Sequence, residues 1–181
     1  MTIRAVFFDF GGVLGQWDRA YVAEFEAEYG MAEGGVLKAL YGAPGWRAVE
    51  VGTLAVDDWL AEVDVALAKA TRKPVPSAHS VWSRLWNDMD QDVIALARKL
   101  RANHKVGVLS NTTLMLEDQV LAPNGMLDMW DVIINSAREG VAKPDPRIYQ
   151  IAAERVGFRA ILHRGDFQQL TQSLKAFGVD C

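Results

Sequence analysis

The chain has 181 residues, half of them apolar, and a formal net charge of −4, which suffices for one buried core with or without a smaller insertion. It holds no Lys/Arg run and no basic stripe interleaved with aromatics, so a nucleic-acid partner has no electrostatic footprint. The opening apolar stretch is too short for a signal h-region or a membrane span, so a cytoplasmic chain with no membrane partner is expected, and a single cysteine, Cys181, excludes an internal disulfide framework and a multi-cysteine metal site.

The first element is an apolar run over residues 3–8, ending in Asp9 and followed by Gly11 and Gly12. Its lack of polar alternation predicts a strand of a parallel sheet covered on both faces. Residues 16–89 contain no strand-like run; helical patches at 21–29, 36–41, 56–70 and 80–89 are punctuated by Gly42, Pro44, Gly45, Gly52, Pro74 and Pro76. That pattern predicts an all-helical insertion. Within it, Trp82, Leu85 and Trp86 at i, i+3, i+4 read most simply as core, the other reading being a substrate-facing aromatic wall.

Val93, Ile94, Leu96, Ala97 and Leu100 then give an amphipathic helix over 92–103 that feeds a second strand at 106–109. Leu114, Leu116, Val120 and Leu121 have helical spacing stopped by Pro123-Asn124-Gly125, and a third strand follows at 132–134. Pro146 near the start and Gly157 past the end bracket another helix carrying Ile148, Tyr149, Ile151, Ala152 and Val156. A last apolar run at 160–162 and a short helix over about 167–177 close the chain. The βαβ rhythm predicts an α/β fold with a helical cap inserted after the first strand, dividing the chain into a core of 1–15 and 90–181 and a cap of 16–89.

In open parallel sheets ligands gather at the carboxyl ends of the strands, which singles out Asp9, Ser110 with Asn111, and Asn135 with Ser136. A carboxylate beside two glycines can attack an electrophile, or simply cap a turn. Ser110-Asn111-Thr112-Thr113 offers hydroxyls, an amide and N–H groups at a helix start, which is an anion site or a plain N-cap. Lys143, in a loop fixed by Gly140, Pro144 and Pro146, either balances the charge of Asp9 and of a bound phosphoryl group or is a solvated surface charge.

Taken together, Phe7-Phe8-Asp9-Phe10-Gly11-Gly12-Val13-Leu14, Val108-Leu109-Ser110-Asn111 and Lys143-Pro144-Asp145-Pro146 resemble, in order, the first three motifs of the haloacid dehalogenase-like (HAD) hydrolases. The resemblance implies a Rossmann-like parallel sheet with a helical cap that selects substrate. It also implies Asp9 as a nucleophile that forms an aspartyl intermediate, Lys143 as its neutralising partner, and Ser110, Asn111, Gly11 and Gly12 around the substrate. The implied substrate is a small molecule carrying a phosphate ester, and the implied cofactor is Mg2+ on Asp9, the Gly11 carbonyl and Asp166.

Two departures stand out. Gly11 occupies the place where phosphatases of the family carry a second Asp as general acid, and glycine transfers no proton. The acidic pair of the fourth motif is not found after Gly157. Either a strand and helix are missing near Phe158-Arg159, or the run 160–163 replaces that motif, Asp166 supplying the remaining acid. Asp166 is otherwise an N-cap, and His163 a half-buried strand residue. Three readings remain: a phosphatase, a metal-independent 2-haloacid dehalogenase, and a degenerate domain that binds without turnover.

Overall fold

The computed structural model describes residues 4–86, 88–158 and Gln172. Among these residues the sheet contains three parallel strands, β1 (Ala5–Phe8), β4 (Lys105–Ser110) and β5 (Val132–Asn135), with β4 in the middle. The registers Phe8 to Val108 and Ser110 to Asn135 bring the carboxyl ends of the three strands to one side. The three strands predicted from apolar runs are these three. Residues 106–110 of β4 are all buried, as a strand covered on both faces requires.

Because side chains alternate across a strand, Val106 and Val108 face one core with Phe8, while Leu109 faces a second with Ile134, Val141, Ile148 and Ala152. Helix α6 (Gln91–Leu100) buries Ile94 and Ala97. Its N-cap is Asp90, whose carboxylate accepts from the Asp92 and Val93 N–H groups and so satisfies donors that have no intrahelical partner. Helix α8 (Pro146–Arg155) starts the same way, with Asp145 accepting from the Arg147 N–H and Pro146 in the first turn.

Between β1 and α6 lie five helices: α1 (Arg19–Tyr29), α2 (Gly35–Tyr41), α3 (Trp46–Val49), α4 (Val56–Ala70) and α5 (Ala78–Leu85). One correction applies to this region. The stretch is not purely helical, because β2 (Gly15–Gln16) pairs antiparallel with β3 (Asp88–Met89), so its entry and exit run side by side. Two-residue strands are too short to show alternation, which is why no periodicity revealed them.

Helix α4 has Asp57 and Asp58 in its first turn and Lys69 in its last, the arrangement its dipole favours. It buries Trp59, Leu60, Val63 and Leu67, each contributing about 1.5–3 kcal/mol by leaving water. Asp64 accepts from the Ala78 N–H at 2.6 Å and fastens the start of α5 to α4. The apolar cluster around Trp59 is continuous with Phe8, Phe10, Val106 and Val108, so helices and sheet share one core.

Candidate active site

The site starts from the sharp turn after β1. The Phe10 carbonyl accepts from the Val13, Leu14 and Gly15 N–H groups, and Gly12 adopts φ +80°, a left-handed conformation that a side chain disfavours. This turn leaves Asp9 at the strand tip with its side chain 42% exposed. One carboxylate oxygen, Oδ1, accepts from the Phe10 N–H at 2.8 Å. The other, Oδ2, lies 2.7 Å from the Lys143 ammonium.

Lys143 reaches that position through a chain of local constraints. Helix α7 (Ser136–Glu139) ends at Gly140 with φ +70°, and Val141 is buried in the second core. The Lys143 N–H donates to Asn111 Oδ1 at 2.7 Å, while Asn111 Nδ2 donates to the Lys143 carbonyl at 2.8 Å. The ammonium also donates to the Leu109 carbonyl at 3.0 Å. The loop is therefore clasped to the tip of β4 at two levels, main chain and side chain.

Asn111 thus orients Lys143, and its amide keeps one N–H for another acceptor. Ser110 is 3% exposed, borders the cavity, and among the described residues its hydroxyl has no hydrogen-bond partner. The helix expected to begin at Ser110-Asn111-Thr112-Thr113 begins later. Residues 111–113 are non-helical, and a six-residue π-helical turn spans Leu116–Leu121. Just before it, the Thr113 hydroxyl accepts from the Met115 N–H at 3.2 Å.

Asn135 and Ser136 lie one layer behind. Asn135 donates to the Thr113 carbonyl at 3.0 Å and to Glu117 at 2.7 Å. Ser136 accepts from the Thr112 N–H at 2.9 Å. Both brace the loop that carries Ser110 and Asn111; neither borders the cavity.

A cavity of about 400 Å³ opens over these groups, within the usual range for small-molecule sites. Asp9, Gly11, Gly12, Ser110, Asn111 and Lys143 all line it, so the residues singled out from the sequence as far as position 143 converge, except Asn135 and Ser136. Trp82 and Trp86 are 3% and 8% exposed and border the cavity; they are core and wall together. Phe10, Gln16, Trp17, Arg19, Tyr41, Trp46 and Thr112 complete the polar and aromatic lining. Trp17 was not singled out from the sequence, although it sits only eight residues past Asp9. Tyr41 and Trp46 carried no signal, because their approach depends on how α2 and α3 pack. Burial pushes the Tyr41 phenol well above its ordinary value, against a weaker opposing contribution from Trp17.

Asp9 is the one carboxylate among the described lining residues, and no three His, Cys, Asp or Glu side chains cluster elsewhere among the described residues. Asp166, His163, Cys181, the run 160–163 and, apart from Gln172, the helix over about 167–177 lie outside the described residues.

A parallel α/β sheet with a carboxylate and an ammonium paired at its strand tips defines the class of the protein. A family model for haloacid dehalogenase-like hydrolases matches residues 3–178, and the chain belongs to that family. It is 44% identical over 64 residues to a phosphatase from Mycobacterium tuberculosis, covering 35% of this chain and 30% of that one. It is 33% identical over 64 residues to the pyrimidine 5'-nucleotidase YjjG from Escherichia coli, covering 35% and 28%. The matched stretch therefore spans under a third of either relative's length.

Among solved structures, a HAD family enzyme from Bacteroides thetaiotaomicron in complex with magnesium and inorganic phosphate superposes with a TM-score of 0.65 at 19% identity, covering 87% of this chain and 80% of that one. The L-2-haloacid dehalogenase from Xanthobacter autotrophicus gives 0.60 at 23% identity, covering 88% and 67%. At such identities these likenesses speak for the fold. No helix among the described residues is long and apolar enough to cross a membrane.

Proposed function

We propose that the chain is a phosphatase that moves the phosphoryl group of a small monoester onto Asp9 and then onto water. The observation that carries this reading is the Asp9–Lys143 pair, 2.7 Å apart at the strand tips and bordered by Ser110 and Asn111. An Asp9 oxygen attacks phosphorus as the bond to the leaving oxygen breaks. Lys143 offsets the charge gathering on the phosphoryl oxygens, and the Ser110 hydroxyl and the free Asn111 N–H donate to them. Water then attacks the aspartyl phosphate and regenerates the carboxylate. In this reading residues 16–89 act as a cap over the site, because Trp17, Arg19, Tyr41, Trp46, Trp82 and Trp86 all come from that stretch.

Magnesium is the ion the family implies. A carboxylate at Asp9 and a carbonyl at Gly11 are hard oxygen donors of the kind it takes, and it commonly binds through one or two carboxylates with water and substrate phosphate for the rest. Asp9 and Gly11 would hold it, with Asp166 as a further ligand, and when bound it screens phosphoryl charge.

The test is phosphate release from a panel of small monoesters. We expect turnover that falls to background in Asp9→Asn with an unchanged circular dichroism spectrum, and that drops at least about tenfold with a chelator. Halide release from 2-haloacids that survives the chelator would instead assign a dehalogenase. Failure with every monoester and haloacid, together with a melting temperature indifferent to magnesium, would assign a binding domain.

A further inference from the structure

Six rings, those of Phe10, Trp17, Tyr41, Trp46, Trp82 and Trp86, line the cavity that holds Asp9, with the Phe10 centroid 5.2 Å from that of Trp86. They form a connected set, with centroids of Trp17 and Tyr41 5.7 Å apart, Trp17 and Trp86 6.2 Å, Tyr41 and Trp46 4.7 Å, and Trp82 and Trp86 5.9 Å. Fully buried Trp59 packs behind them, 5.5 Å from Trp46 and 5.3 Å from Trp82, with its indole N–H donating to the Leu40 carbonyl. Trp17 keeps 37% of its surface exposed. A planar group entering the cavity therefore meets ring faces and edges held in place before it arrives, the arrangement that favours stacking and edge-to-face contact.

Among the described residues, the same cavity lacks a proton donor suited to a basic leaving group. Position 11 is glycine. Among the described lining residues there is no imidazole and no carboxyl besides Asp9, the Lys143 ammonium is held by Asp9 and the Leu109 carbonyl, and burial makes the Tyr41 phenol a weaker acid than in water. A leaving oxygen must then depart with its charge, and its basicity sets the barrier. An aliphatic hydroxyl resembles water and is a far weaker acid than a phenol, which ionises at about 10.

On the phosphatase reading above, we propose that the substrates are phosphate esters of planar, phenol-like hydroxyls. The rings grip the face of the leaving group, and its low basicity substitutes for the absent acid. When an Asp9 oxygen bonds to phosphorus, the phosphorus–oxygen bond to the aryl group breaks, the electron pair stays on the aryloxide, and water in the open cavity protonates it. A second water then adds to the aspartyl phosphate, releases inorganic phosphate and gives its proton to solvent.

Three probes separate ring from basicity: phenyl phosphate has both features, benzyl phosphate has the ring on an aliphatic oxygen, and acetyl phosphate has a weakly basic leaving group without a ring. We expect kcat/KM for phenyl phosphate to exceed that for benzyl phosphate at least about a hundredfold, the scale of a missing general acid. Trp17→Ala, at an exposed position, should raise KM for phenyl phosphate about tenfold and leave acetyl phosphate within about twofold. Gly11→Asp should narrow the phenyl–benzyl gap at least about tenfold, since a Cβ there would meet Trp86 only at an ordinary 3.5 Å. Equal rates for phenyl and benzyl phosphate, or an equal loss on phenyl and acetyl phosphate in Trp17→Ala, overturns the proposal while leaving the phosphatase reading standing. Phosphate release from none of the three above the Asp9→Asn background overturns both.

Discussion

At the scale of single residues, the site is a carboxylate whose two oxygens have different neighbours. Asp9 Oδ1 accepts from the next N–H in the chain, and Oδ2 meets an ammonium that arrives from 134 residues downstream. Lys143→Ala leaves Asp9 in place and removes the charge that the transferring group would meet; turnover should fall by about 10²–10³ with little change in melting temperature. The turn beneath it depends on shape. A Cβ at Gly15 would enter the Phe10 ring, and Phe10 is 3% exposed against Trp86. Gly15→Ala should therefore cost about 1–3 kcal/mol by overpacking, read as a lower urea midpoint at unchanged slope. The sequence exposed Asp9 and Lys143 as candidates through their motifs, yet Gly15 carried no such mark, because its constraint is a ring folded back onto it from five residues away.

At the scale of elements, the amino ends of β4 and β5 are tied together by a polar side chain from the loop between them. Asp131, just before β5, accepts from the Val106 N–H at 2.9 Å, and its own N–H donates to the Val106 carbonyl at 2.8 Å. The Val106 hydrogen bond, helped by Lys105 and Arg101, holds its carboxyl below the usual carboxylate value. A depressed folded value means that the stabilisation is fully present above the unfolded value of about 3.9 and is lost as pH falls through the folded one. Urea midpoints of the parent and Asp131→Asn should therefore differ at pH 6 and converge as the pH drops below about 3. Equal differences at both ends would show that the charge contributes nothing.

Glu26 does similar work among the helices. It is 6% exposed and accepts from the Gly34 and Val36 N–H groups at 3.1 and 3.0 Å, closing the turn between α1 and α2. Glu26→Ala should cost about 2–4 kcal/mol, because two N–H groups lose a charged acceptor. Strands and long helices were legible here from apolar spacing and from Pro and Gly at their ends. The short pair β2 and β3 and the delayed start of the Leu116–Leu121 turn were not, since neither has a period.

At the scale of the whole molecule, the helices and the sheet share an apolar cluster that runs from Trp59 and Leu67 to Val106 and Val108. The turn at Gly52, with φ +70°, lies against the Ala137 carbonyl, so close that a side chain there would collide with it. With one apolar cluster joining the layers, we expect tryptophan fluorescence, which reports mainly the helical layer, and far-ultraviolet circular dichroism to give coincident urea transitions. Separate midpoints would show that the two layers unfold independently.

The chain order of Asp9, Ser110-Asn111 and Lys143, each at the end of an apolar run or in a proline-fixed loop, was enough to determine the α/β class and the family. Those signals are local, written within a few residues of each motif. The tertiary structure alone decided that Asn111 clasps Lys143, that Asn135 and Ser136 stand behind the cavity, and that Trp17, Tyr41 and Trp46 join Trp82 and Trp86 around it. Those facts depend on which helix faces reach the strand tips once the shared core closes, and packing between distant segments leaves no period in the chain.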